Sequence, residues 1–151
     1  MAEPWKMPPL LKILEALGAV ADGRVRETGE GAAAVASSDG RKTYTVTWDA
    51  ATRTLSCNDN ASYWQSYVGY PALAYLMVQG ALPCAAGVAA TLAGLEWKAL
   101  NDRLRDHDKV LAHLERERGL DLAAARAQAR AVLDALAALA PVKPARRTRP
   151  A

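Results

Sequence analysis

The chain has 151 residues, 51% of them hydrophobic and 23% charged, a balance that fits one soluble domain able to bury a core without staples and excludes a disordered or fibrous chain. Two cysteines, Cys57 and Cys84, are too few for a disulfide scaffold, and with no basic-then-apolar presequence at the N-terminus the expected compartment is the cytoplasm. The formal charge of +3 belongs to the tail: residues 141–151 hold Lys143, Arg146, Arg147 and Arg149 without an acid, and the body alone stands at −1, which argues against a wide phosphate-binding face.

Pro8 and Pro9 precede Leu10, Leu11, Ile13, Leu14 and Leu17 at helical spacing, and Gly18 reads as a stop, so a first helix is expected to end there or by Ala21. The period then changes. Val25 sits between Arg24 and Arg26, a Gly/Ala stretch leads to Val35, and Ser38-Asp39-Gly40 marks a turn. Residues 43–48 are the clearest strand, with Tyr44, Val46 and Trp48 facing a core and threonines facing water. Residues 49–52 read as a turn, and residues 53–57 return with Leu55 and Cys57 on one face. The expectation is a three-stranded antiparallel meander.

Residues 58–62 offer several helix N-caps, after which residues 63–82 read as a helix interrupted or restarted at Pro71. Pro83 and Cys84 open another helical stretch rich in small residues. Beyond it Trp97, Leu100, Leu104, His107, Leu111 and Leu114 recur at spacings of 3, 4, 3, 4 and 3, a heptad seam too short for a free-standing coiled coil. Gly119 stops this helix, Asp121 caps the next, and Leu122, Ala129, Val132, Leu136 and Leu139 give the last helix an apolar side before Pro141. The short link between them predicts an antiparallel helical hairpin. The fold class is therefore α+β: an N-terminal helix and meander in residues 1–59, a mainly helical half in residues 60–140, together one domain, and a flexible basic tail in residues 141–151.

Residues 60–95 carry no charged side chain. The longest part also free of Gln and Asn, residues 66–78, contains Gly69 and Pro71 and falls short of the roughly twenty apolar residues of a membrane span, so burial, or an interface with a second copy or a protein partner, is the better account. Tyr63, Tyr67 and Tyr70 fall at i, i+4 and i+7 with Trp64 beside them, spacing that a stacking platform for unpaired bases would use. Base-stacking surfaces interleave aromatics with Arg or Lys, and none stands here, so core packing competes with that reading.

Asn58, Asp59, Asn60 and Ser62 form a polar cluster at a strand-to-helix junction, where capping and turn formation compete with ligand or cation binding; the spacing is not that of an EF-hand. Cys57 and Cys84, and His107 and His113, lack zinc-ligand spacing, so no metal is expected. His107 lies on the apolar seam, where protonation would place a charge between helices, a pH-sensitive position beside the ordinary reading as a packing histidine. Asp102 and Asp106, one turn apart among Arg and Lys, read as an exposed charged face. No Gly-rich phosphate loop, nucleophile elbow or dinucleotide fingerprint occurs, so neither catalytic residues nor cofactors are assigned.

The function expected from these features is a non-enzymatic accessory protein associating with nucleic acid or a nucleoprotein complex, through Lys143, Arg146, Arg147 and Arg149 of the tail and through Tyr63, Trp64 and Tyr67, with residues 60–95 meeting itself or a protein partner. In size and general character the chain resembles small helical subunits of CRISPR-type RNA-guided effectors, an analogy of class. One alternative is a small-ligand-binding protein or enzyme with an aromatic pocket between sheet and helices; another is a winged-helix-like regulator.

Overall fold

Helix α1 (Leu10–Ala21) starts from Pro9, whose extended backbone and missing N–H suit a helix entrance. It runs past Gly18 to a Schellman turn, in which Gly23 takes φ +65°, the Arg24 amide donates to Ala19 O at 3.0 Å and the Gly23 amide to Val20 O at 3.1 Å. The helix ends at Ala21, the later of the two ends expected, and Gly18 is not what stops it. Gly18 is a site of close approach: a Cβ there would lie 3.0 Å from Trp97 Nε1 and 3.2 Å from Leu92 O. The computed structural model describes residues 2–146 and 149–151.

Four strands follow, β1 (Val25–Gly29), β2 (Ala32–Ala36), β3 (Thr43–Asp49) and β4 (Thr54–Cys57), paired antiparallel in the order β1-β2-β3-β4. The fold is α+β with a meander, as expected, and the meander has one strand more than the sequence suggested. The Gly/Ala stretch is itself a hairpin: alanines with poor strand propensity form β2 because Ala33 and Val35 pack inward, opposite Val46 and Tyr44 of β3. Gly31 is required at that hairpin, since its φ is +68° and a Cβ would stand 2.5 Å from Trp48 O.

Ala33, Val35, Val46, Leu55 and Cys57 form the inner face of the sheet. Against it lies α2 (Tyr70–Val78), packed between the strands and α1. Every residue of α2 from Pro71 to Met77 is buried. A helix enclosed on all sides has no face for charge, which accounts for this part of the uncharged segment. The helix expected over residues 63–82 is two pieces: a π-helical turn (Ala61–Gln65) closed by Ser66 at φ +62°, then extended backbone leading to α2 with Pro71 in its first turn. Among the described residues no helix is long and apolar enough to cross a membrane.

The remaining helices are α3 (Ala86–Thr91), α4 (Trp97–Leu104), α5 (His107–Arg118) and α6 (Leu122–Leu139). The expected seam is cut at Arg105, which adopts φ +54°, and Asp106 opens α5 by accepting the Lys109 amide at 3.0 Å. Gly119 and the Asp121 cap, which accepts the Ala124 amide at 3.1 Å, join α5 to α6, and α6 packs on α1. Both ends of the chain close on the sheet. Val142 exchanges backbone hydrogen bonds with Arg53 and Leu55, the Lys143 amide donates to Glu3 O, and the Trp5 amide donates to Pro141 O. Trp5 Nε1 adds a bond of 2.9 Å to Leu55 O.

Candidate functional site

A cleft of about 490 Å³ opens between α1, the sheet, the start of α2, and α4. Its first wall comes from α1. Residues 13–19 are all buried, so the single charge among them, Glu15, is carried inside with only 4% of its surface exposed. A carboxylate taken from water must be paired. Lys12 Nζ, one turn earlier, lies 3.2 Å from Oε2, and Asn101 Nδ2 of α4 donates to Oε1 at 3.0 Å.

Arg24 enters from the other end of α1, because the Schellman turn sends the chain back over the helix terminus. Its Nη1 donates to Ala36 O at 2.7 Å, and its Nε lies 3.4 Å from Asp22 Oδ2. The guanidinium carbon stands 5.8 Å from the centroid of the Tyr70 ring, and Tyr70 meets Tyr44 edge to face at 6.0 Å. Burial pushes the Tyr70 phenol well up, with the Tyr44 phenolate charge adding to the rise; burial, and then Asp59, raise Tyr44. Trp97, buried at the head of α4, donates its backbone N–H to Ser38 Oγ at 3.0 Å and so ties α4 to the turn before β3.

Asp59, 4% exposed, also lines the cleft. It accepts the Ser62 amide at 3.3 Å and the Ser62 hydroxyl, as a capping carboxylate does, and the Gly69 backbone is pressed against it. Asn58 Oδ1 accepts the Thr45 amide at 2.8 Å and Asn60 is exposed. The polar cluster is therefore brought together, with Asn58 and the Asp59–Ser62 pair engaged in holding the junction and Asn60 at the cleft wall. Among the described residues no three His, Cys, Asp or Glu side chains converge on a metal position.

The other sequence candidates scatter. Tyr63 and Trp64 meet edge to face at 4.6 Å on the π-helical turn, and Trp64 is 68% exposed. Tyr67 lies beyond the left-handed Ser66, so the three tyrosines do not share one helix face. Lys143 is mostly covered: its Nζ pairs with Glu3 at 3.0 Å and stands 5.1 Å over the Trp5 ring. Arg146 and Arg149 are exposed, and Arg147 lies outside the described residues. His107 is exposed in the first turn of α5; with the seam cut at Arg105 it does not sit between helices. A second cleft, of about 840 Å³, brings Ser62, Tyr63 and Lys143 together with Trp5 and Cys57 at the closure of the chain ends. Burial, and then the neighbouring Asp59, raise the Cys57 thiol well above its ordinary value.

Glu15, Arg24 and Asn101 were not singled out as site residues by the sequence, whereas Tyr70 was named in the tyrosine stripe and Tyr44 only as a core-facing strand residue. One signal was present for Glu15, a lone acid inside an apolar helical run. No curated protein and no solved structure matches this chain. One family does, over residues 5–142, a span that takes in the sheet, the first cleft and all six α-helices, and the chain belongs to it: the family described as uncharacterised conserved protein UCP014422.

Proposed function

We propose that this protein binds a small organic molecule in the cleft between α1, the sheet, α2 and α4. One observation carries the reading: the buried carboxylates of Glu15 and Asp59 and the mostly covered guanidinium of Arg24 converge on a single concavity walled by Tyr44, Tyr70 and Trp97. Burying ionisable groups costs stability, and apolar packing would hold the same elements together without that cost. A concave aromatic site with a few convergent polar groups is the usual form of a small-molecule pocket, and this volume lies within the usual range of about 300–1,000 Å³. The thiols of Cys57 and Cys84 are free, which supports a reducing cytoplasm as the place of action.

A thermal-shift screen of metabolites tests the reading. A ligand at 100 times its Kd adds about 2.7 kcal/mol and raises Tm by about 5–10 °C in a domain of this size. Filling the cleft wall with Asn60→Trp should abolish the shift. A silent screen, or a shift undiminished in that variant, overturns the proposal.

The exposed Trp64 favours a second reading, an association with single-stranded nucleic acid in which Trp64 stacks on a base and Arg146 and Arg149 meet phosphates. A salt titration of binding to labelled single strands, repeated with Trp64→Ala, decides it. Binding indifferent to that change refutes the stacking role.

A further inference from the structure

We infer that the cleft receives a small organic monocarboxylate with an apolar or aromatic body, its carboxylate held by the Nε–Nη2 edge of Arg24. This rests on reading the cleft as a ligand site. Among the described residues, the buried side-chain polar atoms without a hydrogen-bond partner are Arg24 Nε, Arg24 Nη2 and Trp97 Nε1. All are donors, and both residues line the same cleft. The buried acceptors nearby are supplied: Glu15 by Lys12 and Asn101, Asp59 by Ser62. What the cleft lacks is acceptors, which a ligand must then bring.

Trp97 Nε1 is turned against the backbone of Gly18, which leaves the Arg24 pair as the receiving group. Its Nη1 is engaged by Ala36 O, while Nε and Nη2 lie on one edge of the guanidinium with their N–H bonds parallel, a fork that matches the two oxygens of a carboxylate. Asp22 stands at the Nε end of that fork as a counter-ion and leaves both donors without a hydrogen bond: its Oδ1 is held by the Gly94 amide at 2.7 Å, and its Oδ2 pairs with Nε at 3.4 Å. The edge is closed to water in this structure, so capture includes a side-chain rotation at the cleft wall, a common accompaniment of binding.

Charge narrows the class. Lys12, Arg24, Arg41, Lys42 and Lys98 face Glu15, Asp39, Asp59 and Asp102 around the cleft, and with the Asp22 that pairs with Arg24 the cations and carboxylates balance. A balanced cleft tolerates one added negative charge held at a guanidinium better than the two of a dianionic phosphate, which would meet these carboxylates with too little compensation. Tyr44 and Tyr70 supply the wall for an apolar or ring-bearing body.

The test is a titration of the full ¹⁵N-labelled chain with benzoate, its neutral isostere benzamide, the cation benzamidine, and phenyl phosphate, reading the Arg24 Nε–H signal and the amides of Ser38 and Asn101. Benzoate is expected to move these signals and to bind at least tenfold more tightly than the other three, and Arg24→Lys, which keeps the charge and loses the fork, is expected to lose at least tenfold for benzoate. Should that variant fail to fold, the comparison of benzoate with benzamide in the unaltered protein decides alone. Benzamide, benzamidine or phenyl phosphate binding at these signals as tightly as benzoate overturns the inference and leaves the cleft as a ligand site. Silence from all four overturns the inference, and the metabolite screen then decides whether the cleft is a ligand site.

Discussion

Gly69 adopts φ −76° and ψ 163°, angles open to any residue, so its replacement by alanine carries no backbone strain and asks only whether the Asp59 carboxylate can yield. A Cβ built there would lie 2.6 Å from the carboxylate carbon. Asp59 has little room to retreat: it is 4% exposed and held by the Ser62 amide and hydroxyl. Displacing it loses one hydrogen bond to a charged group, about 1.5–3 kcal/mol, and adds an overpacking cost of about 1–3 kcal/mol. The stiffer unfolded chain returns about 0.4–1 kcal/mol. Gly69→Ala is thus expected to destabilise by about 3 kcal/mol and to lower Tm by about 6–12 °C. Urea unfolding followed by tryptophan fluorescence measures it, as a lower midpoint at unchanged slope. In an Asp59→Ala background the same change should cost nothing, because the space is free, so the two substitutions should couple by about 3 kcal/mol. A cost under about 1 kcal/mol, or strict additivity, refutes the reasoning.

Ending the chain at Ala140 removes the bonds of Pro141, Val142 and Lys143 to Trp5, Arg53, Leu55 and Glu3, and should destabilise by about 2 kcal/mol; an unchanged Tm would show that the tail carries no part of the fold. A thiol reagent should label Cys84, which is exposed, in the native protein and reach buried Cys57 only on unfolding; parallel labelling of the two would contradict the placement of Cys57. Burial raises the Tyr44 and Tyr70 phenols above their unfolded value of 10.0, so their contribution to stability is complete below that pH and is lost as the pH climbs past it toward the folded-state values. Tyr70→Phe should flatten this alkaline limb of the pH–stability curve, and an equally steep limb in the variant would refute the assignment.

The parts of the fold legible in the sequence are those decided by local chemistry. The alternation in β3, the Asp121 cap and the Gly119 stop each carry their reason within a few residues. Gly18 was misleading because its reason is tertiary: Trp97, far along the chain, fills the space a side chain would take. Arg105 breaks the seam in a left-handed conformation for which arginine has no preference, so nothing local announces it, and His107 leaves the seam with it. The alanines of β2 form a strand because β3 and the core demand one, against their propensity. Of the cleft, the Asp59–Ser62 corner was visible as a cluster of polar letters. Glu15, Arg24, Tyr70 and Asn101 become a site only when the Schellman turn, the start of α2 and α4 are brought together, a matter of topology that spacing does not encode.

The two sides of the cleft differ in how firmly they are moored. α2 is enclosed between the sheet and α1, whereas α4 is bounded by Gly94 and Arg105, both with positive φ, and is anchored by Trp97, Leu100 and the Asn101–Glu15 bond. Amide exchange should accordingly be slowest in α2 and faster in α4. On the proposed reading of the cleft, opening would fall to α4 and set how fast a ligand arrives and leaves, while the fixed groups at the ends of α1 and α2 would set how tightly it is held.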